Sequence, residues 1–135
     1  MASQLKVDTI TGVSTAGSIA VTGEGNSTTT NLQQGLAKHF CIFNGTGTVA
    51  VDESFNNSSL ADNGTGQYAV TFTNAFNNLH FALTGATVGN DEAFTYIATD
   101  AAVKTASTTR FRGVQYDGSE FDTDVVDIVS HGDLA

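Results

Sequence analysis

Two patterns of hydrophobic and polar positions divide this chain. From Phe40 onward, short apolar stretches recur with period-two alternation: "HFCIF", "TVAVDES", "QYAVTFT", "LHFALTG", "AFTYIAT", "TTRFRGVQY" and "TDVVDIVS". In "QYAVTFT", Tyr68, Val70 and Phe72 fall on one face while Ala69 and Thr71 fall on the other, the signature of a strand with one buried side. The separators "NGTG", "NNSSLADNGTG", "NAFNN", "ATVGNDE" and "DGSEFD" are rich in residues that tolerate positive φ or bond their own backbone. Strands of this length at this spacing predict an antiparallel sandwich or barrel. Proline is absent, which suits central strands whose every N–H is needed.

Before residue 39 the pattern thins. "QLKVDTI" alternates as a short strand does, and "SIAV" sets Ile19 and Val21 on one face. Between and beyond them lies Ser, Thr and Gly with Val13 as the other sizeable apolar residue. "NLQQGLAKHF" predicts a helical turn capped by Asn31, with Leu32 and Leu36 four apart and Gly35 weakening it. Such a segment has too little apolar mass for a core of its own, but identical chains can supply the missing walls. Val7, Ile10, Val13, Ile19 and Val21 are therefore expected to line a threefold interface. The expected fold is all-β: a short extended N-terminal oligomerisation segment over residues 1–38, then an antiparallel, jelly-roll-like β-sandwich over residues 39–135.

Asn-Gly-Thr-Gly occurs twice, at Asn44 and at Asn63, each time before alternating apolar residues. Asn-Gly favours the type I′ hairpin turn, in which both central residues take φ above zero. Two hairpins are predicted, with Gly45 and Gly64 in the left-handed region.

Composition sharpens the division. All nine Phe and all three Tyr lie between Phe40 and Phe121. Lys6 and Lys38 offset Asp8 and Glu24, so the net charge of −9 resides wholly on residues 39–135. A surface this acidic repels phosphate backbones and anionic headgroups, so neither nucleic acid nor membrane is an expected partner. No apolar run reaches signal-peptide or membrane-span length, so the expectation is a soluble chain made in the cytoplasm. Asn26, Asn44, Asn56, Asn57 and Asn63 open Asn-X-Ser/Thr triplets, which without a secretory route read as turn chemistry.

Candidate chemistry is sparse. Cys41 is the single cysteine, expected as a small buried hydrophobe. His39, His80 and His131 lack partners at metal-ligand spacing, although His39 and Cys41 share a strand face. Asp117, Glu120, Asp122 and Asp124 gather oxygen ligands suited to calcium, but without the EF-hand spacing or its glycine; a solvated acidic loop is the favoured reading. Arg110 and Arg112 project from one strand face, where they could touch an anion or a sugar or pair with neighbouring carboxylates, and the pairing is favoured. No nucleophile elbow, phosphate loop or zinc-protease helix is present. Enzymatic activity and a bound cofactor are not expected.

The run "LKVDTI…VTGEG…GLAKHFCIFNGTGTVAVDESFNNSSLADNGTGQYAVTFTNAF", together with the ending "VVDIVSHGDLA", resembles virion proteins of tailed bacteriophages, particularly tail-fibre-like proteins of phages of marine bacteria. The resemblance covers most of the chain. It implies a homotrimeric, non-enzymatic virion component whose N-terminal segment docks to other virion proteins of the capsid or tail. Many relatives carry a long shaft between the two parts, and this chain does not, which suits a short fibre, a spike or a capsid decoration protein. The β architecture also admits a second reading, a carbohydrate-binding module for a host surface glycan.

Overall fold

The structure is a computed structural model that describes residues 5–12, 19–22, 29–88, 96–99 and 104–134. It separates into two units, Met1–Gly35 and Leu36–Ala135. In the first, β1 (Ala20–Thr22) pairs antiparallel with β2 (Thr29–Asn31), and the helical turn α1 (Leu32–Gly35) follows. The Leu32 amide donates to the Ile19 carbonyl at 2.8 Å, closing this small hairpin. The strand expected at "QLKVDTI" is not formed. Residues 5–12 run without strand pairing and bend at Asp8, because alternation makes a strand only where another strand offers a ladder.

Among its described residues the second unit holds eight strands: β3 (Ala37–Asn44), β4 (Ala50–Phe55), β5 (Asn57–Gly64), β6 (Gln67–Phe72), β7 (Ala82–Val88), β8 (Tyr96–Thr99), β9 (Thr108–Val114) and β10 (Val125–His131). They form two four-stranded antiparallel sheets, ordered β4-β3-β10-β7 and β5-β6-β9-β8. This is the expected β-sandwich. In jelly-roll manner its first and last strands, β3 and β10, lie side by side, and the chain crosses repeatedly between sheets.

Alternation set by sequence decides which side chains meet between the sheets. Cys41 and Phe43 of β3 and Val126 and Ile128 of β10 face Tyr68, Val70 and Phe72 of β6 and Phe111 of β9, all buried. Phe43 meets Tyr68 edge-on at 4.9 Å between centroids, a preferred aromatic geometry. At the other end Phe72, Phe76 and Phe81 cluster, with Phe76 and Phe81 stacked at 4.3 Å. Truncating a ring as enclosed as Phe43 to Ala costs about 3–5 kcal/mol.

Strand β5 was not expected, since "NSSLADNG" reads as loop. As an edge strand it needs one apolar residue directed inward, Leu60, and the β6 ladder supplies the rest. The turns also depart from expectation. Gly45 has no positive φ; in that loop Gly47 does, at 65°. Asn44 builds the loop instead, its carboxamide accepting from the Thr46 amide at 2.9 Å. Gly64 does lie at φ 128°, but at a bulge closing β5, and the two-residue turn is Thr65-Gly66, with Gly66 at 64°. A Cβ on Gly45 would stand 2.5 Å from the Tyr68 hydroxyl, so glycine is required there by crowding and not by dihedral. Where the chain leaves β4 for β5, Asn56 adopts φ 56° and its side chain bridges Lys38 and Asn74. That is the turn chemistry expected of this asparagine.

Candidate functional site

Strands β3 and β10 carry large apolar side chains on both faces, with Lys38, Asp127 and His131 also on the outward one. Inward they present Cys41, Phe43, Val126 and Ile128; outward they present Phe40, Ile42, Val125 and Val129. An antiparallel strand with one solvated face normally alternates with polar residues, so an apolar outer face is a surface with something to cover. Register arranges it in rows. Phe40 lies between Phe55 and Val129, with Thr84 beyond; Ile42 lies between Glu53 and Asp127, with Ala86 beyond. Phe40 and Phe55 stack at 6.2 Å. On the far side β7 offers only Thr84, Gly85 and Ala86, so the large side chains of β3 form one wall of a groove of about 440 Å³.

Among the described residues Asp127 is the one charged side chain lining this groove, and it has no ion-pair or hydrogen-bond partner there. Two cations of the domain are engaged elsewhere. Lys104 donates to the Phe81 carbonyl at 2.6 Å and sits 4.1 Å above the Phe81 ring. Arg112 pairs with Glu120 at 3.2 Å, an exposed contact. The groove is therefore an apolar trough around a lone carboxylate.

The residues singled out from sequence are not brought together here. Arg110 and Arg112 do share the outward face of β9, on the opposite sheet; Arg112 takes the expected carboxylate, while Arg110 Nε is buried without a hydrogen-bond partner. The acidic loop divides its carboxylates among separate protein donors. Asp117 accepts from the Ser119 amide and hydroxyl, Glu120 from Gln67 and Arg112, Asp122 from the Gly66 amide and the Tyr68 hydroxyl, and Asp124 from Thr46. Hydrogen bonds from Ser119 hold Asp117 below the usual carboxylate range, and those from Gln67 and then Arg112 do the same for Glu120. Among the described residues no three His, Cys, Asp or Glu side chains converge as a metal site.

The histidine and cysteine of β3 belong to the core. Burial pushes the Cys41 thiol up to about 11, with the charge of Asp52 adding to it. Burial lowers His39 to about 4 against an opposing contribution from the Asn57 side chain. His39 Nε2 and Asn57 Oδ1 nonetheless both lack a partner in hydrogen-bond geometry. Ser130 Oγ lies 3.3 Å from His39 Nδ1, the separation of a nucleophile and its base. Both residues are fully buried, so no substrate reaches the pair in this structure.

In the first unit, Leu5, Val7, Ile10 and Val21 are 81%, 54%, 58% and 52% exposed. Ile19 is half-buried, and Val13 lies outside the described residues. The signal for the outward groove was present in the sequence as the unbroken apolar run "FCIF" and as "VVDIV", interrupted only by Asp127, where strict alternation would have left one face polar. Comparisons with protein-family models, with curated proteins and with solved structures returned no match.

Proposed function

We propose that this chain is a non-enzymatic structural protein of a tailed-bacteriophage virion, a homotrimeric short fibre, spike or capsid decoration protein, made in the host cytoplasm and held in the particle through its N-terminal segment. The observation that carries the reading is the exposure of Leu5, Val7, Ile10 and Val21 in the first unit, none of whose described residues is buried. Apolar residues so placed are stabilised by burial against other chains, at about 25 cal/mol per Å² removed from water. The resemblance to tail-fibre-like proteins supplies the class of assembly. The acidic domain, with a net charge of −9, resists nonspecific association and suits an outward position.

The carbohydrate-binding alternative finds a foothold in the Phe40–Phe55 pair near Asp127. Sugar recognition needs several convergent hydrogen-bonding groups, however, and Thr84 and Asp127 are the polar side chains lining the groove. Light scattering on the purified full chain tests the leading reading, with a mass near three chains expected. Mass spectrometry of the purified particle would then find the protein at a stoichiometry divisible by three. A monodisperse monomer at micromolar concentration would end the proposal.

A further inference from the structure

A threefold interface is heterologous: the patch one copy offers must meet a different patch on the next. Residues near the threefold axis can meet their own counterparts, but any part of the N-terminal segments that lies off the axis in the proposed trimer needs a different surface on the next copy to receive it. We infer that the groove on the β4-β3-β10-β7 sheet is that surface, and that it takes the Leu5–Ile10 segment of a neighbouring copy. This inference rests on the homotrimer reading and adds to it the receiving residues and the charge that orients the contact.

The two surfaces are complementary in kind. The segment carries three exposed aliphatic residues, Leu5, Val7 and Ile10, and no strand pairing fixes its backbone. The groove is walled by Phe40, Ile42 and Val129 and is low along β7. Lys6 gives the segment one charge complementary to the groove, while Asp8, two residues on, leaves the segment neutral overall and has to lie away from Asp127. Asp127 stands in the groove without a partner, with Glu53 one strand beyond Ile42. Lys6 sits between Leu5 and Val7, and its four-carbon stem can lie along apolar surface while the ammonium reaches a carboxylate beside it. The opposite sheet makes a poor receptor, because its outward face carries Arg110 and Arg112.

The dimensions agree if the bend at Asp8 straightens on docking: six extended residues span roughly 20 Å, and four strands set about 4.8 Å apart place the outer two about 14 Å from each other. The segment is long enough to cross the whole face. Packing a second copy's groove directly on this one would instead bring Asp127 against Asp127, like charges in an apolar setting, which is unfavourable.

Charge reversal and cross-linking on the full chain test this. Lys6→Asp and Asp127→Lys should each raise the concentration at which trimers dissociate by about tenfold or more, and the double exchange K6D/D127K should restore most of the loss. Independently, chains carrying Val7→Cys mixed with chains carrying Val129→Cys should be joined by a short bis-maleimide, whereas neither variant alone should be; Cys41 is buried and contributes no background. A wild-type trimer that survives D127K and shows no Val7–Val129 cross-link would overturn the groove assignment and leave the homotrimer standing. A monomeric wild type would overturn both.

Discussion

The hydroxyl of Tyr68 lies 2.9 Å from Oδ1 of Asp122, to which it donates, and 3.0 Å from the carbonyl of Gly45. Asp122 also accepts from the Gly66 amide at 2.6 Å. Through these contacts the two Asn-Gly-Thr-Gly loops, one in each sheet, are held to the same loop ahead of β10. The Gly45 amide completes the arrangement by donating to Thr123 at 3.0 Å. Burial together with the Asp122 carboxylate raises the Tyr68 phenol well above its ordinary range, so it remains a donor throughout the accessible pH range.

Tyr68→Phe removes that donor while keeping the ring against Phe43. It should lower stability by about 1–2 kcal/mol, since a hydrogen bond to a charged acceptor is lost and Asp122 keeps its amide donor. Asp122→Ala should cost at least as much, because it leaves the Gly66 amide without its acceptor and the Tyr68 hydroxyl with only the neutral Gly45 carbonyl. Urea titrations of the two variants and of the double variant would show coupling. Strict additivity would mean that the contact contributes nothing to stability.

The glycines separate crowding from dihedral strain. Gly66 carries both, with φ at 64° and a Cβ position 2.6 Å from the Phe121 amide nitrogen. Gly45 carries only crowding, and Gly47 only the dihedral, at 65° with open space around it. Replacement by Ala should therefore be worst at Gly66, at about 3 kcal/mol or more, while Gly47→Ala costs about 1 kcal/mol. Thermal melts would check the ranking. A Gly66→Ala protein as stable as Gly47→Ala would show that the loops move apart freely.

His39 makes stability depend on mildly acidic pH. Its imidazole is lowered from 6.5 to about 4 by burial, so between those values the unfolded chain binds a proton that the folded one does not. Stability then rises with pH across that window, is fully present above about 6.5, and is lost progressively as pH falls toward 4, by on the order of 2–3 kcal/mol. In His39→Gln this pH dependence should flatten. Denaturant midpoints measured from pH 7.5 to 4.0 would reveal it, and parallel slopes for both proteins would assign the effect to other groups.

How much of this was legible beforehand depends on the range over which each feature is determined. The inward set of β6 and β9 could be read directly, because Tyr68, Val70, Phe72 and Phe111 alternate with polar or small neighbours. Edge strand β5 could not, since its stability comes from the β6 ladder and one leucine, and its own residues favour turns. Gly45 was assigned the wrong constraint for a similar reason: the Tyr68 hydroxyl that crowds it lies twenty-three residues away. The groove needed register as well as pattern. Apolar runs in β3 and β10 announce a covered face, but only the pairing of Asp127 opposite Ile42 and Ala86 puts a carboxylate in its middle.

The last prediction concerns attachment to the particle. Residues 1–38 are neutral and present small residues that allow close approach of backbones, whereas the net charge of −9 lies on the sandwich. Attachment through the N-terminal segment is therefore expected. Deleting residues 1–22 removes Leu5, Val7, Ile10 and Val21 but none of the aromatic residues, so the sandwich should still unfold cooperatively, with its midpoint little changed when compared at equal oligomeric state. The same deletion should abolish incorporation: full-length protein should rebind depleted particles, and the truncated protein should not. The sheet groove would remain intact in the truncated chain, so a truncated protein that still binds would place attachment in the sandwich and reverse the division of roles proposed for the two units.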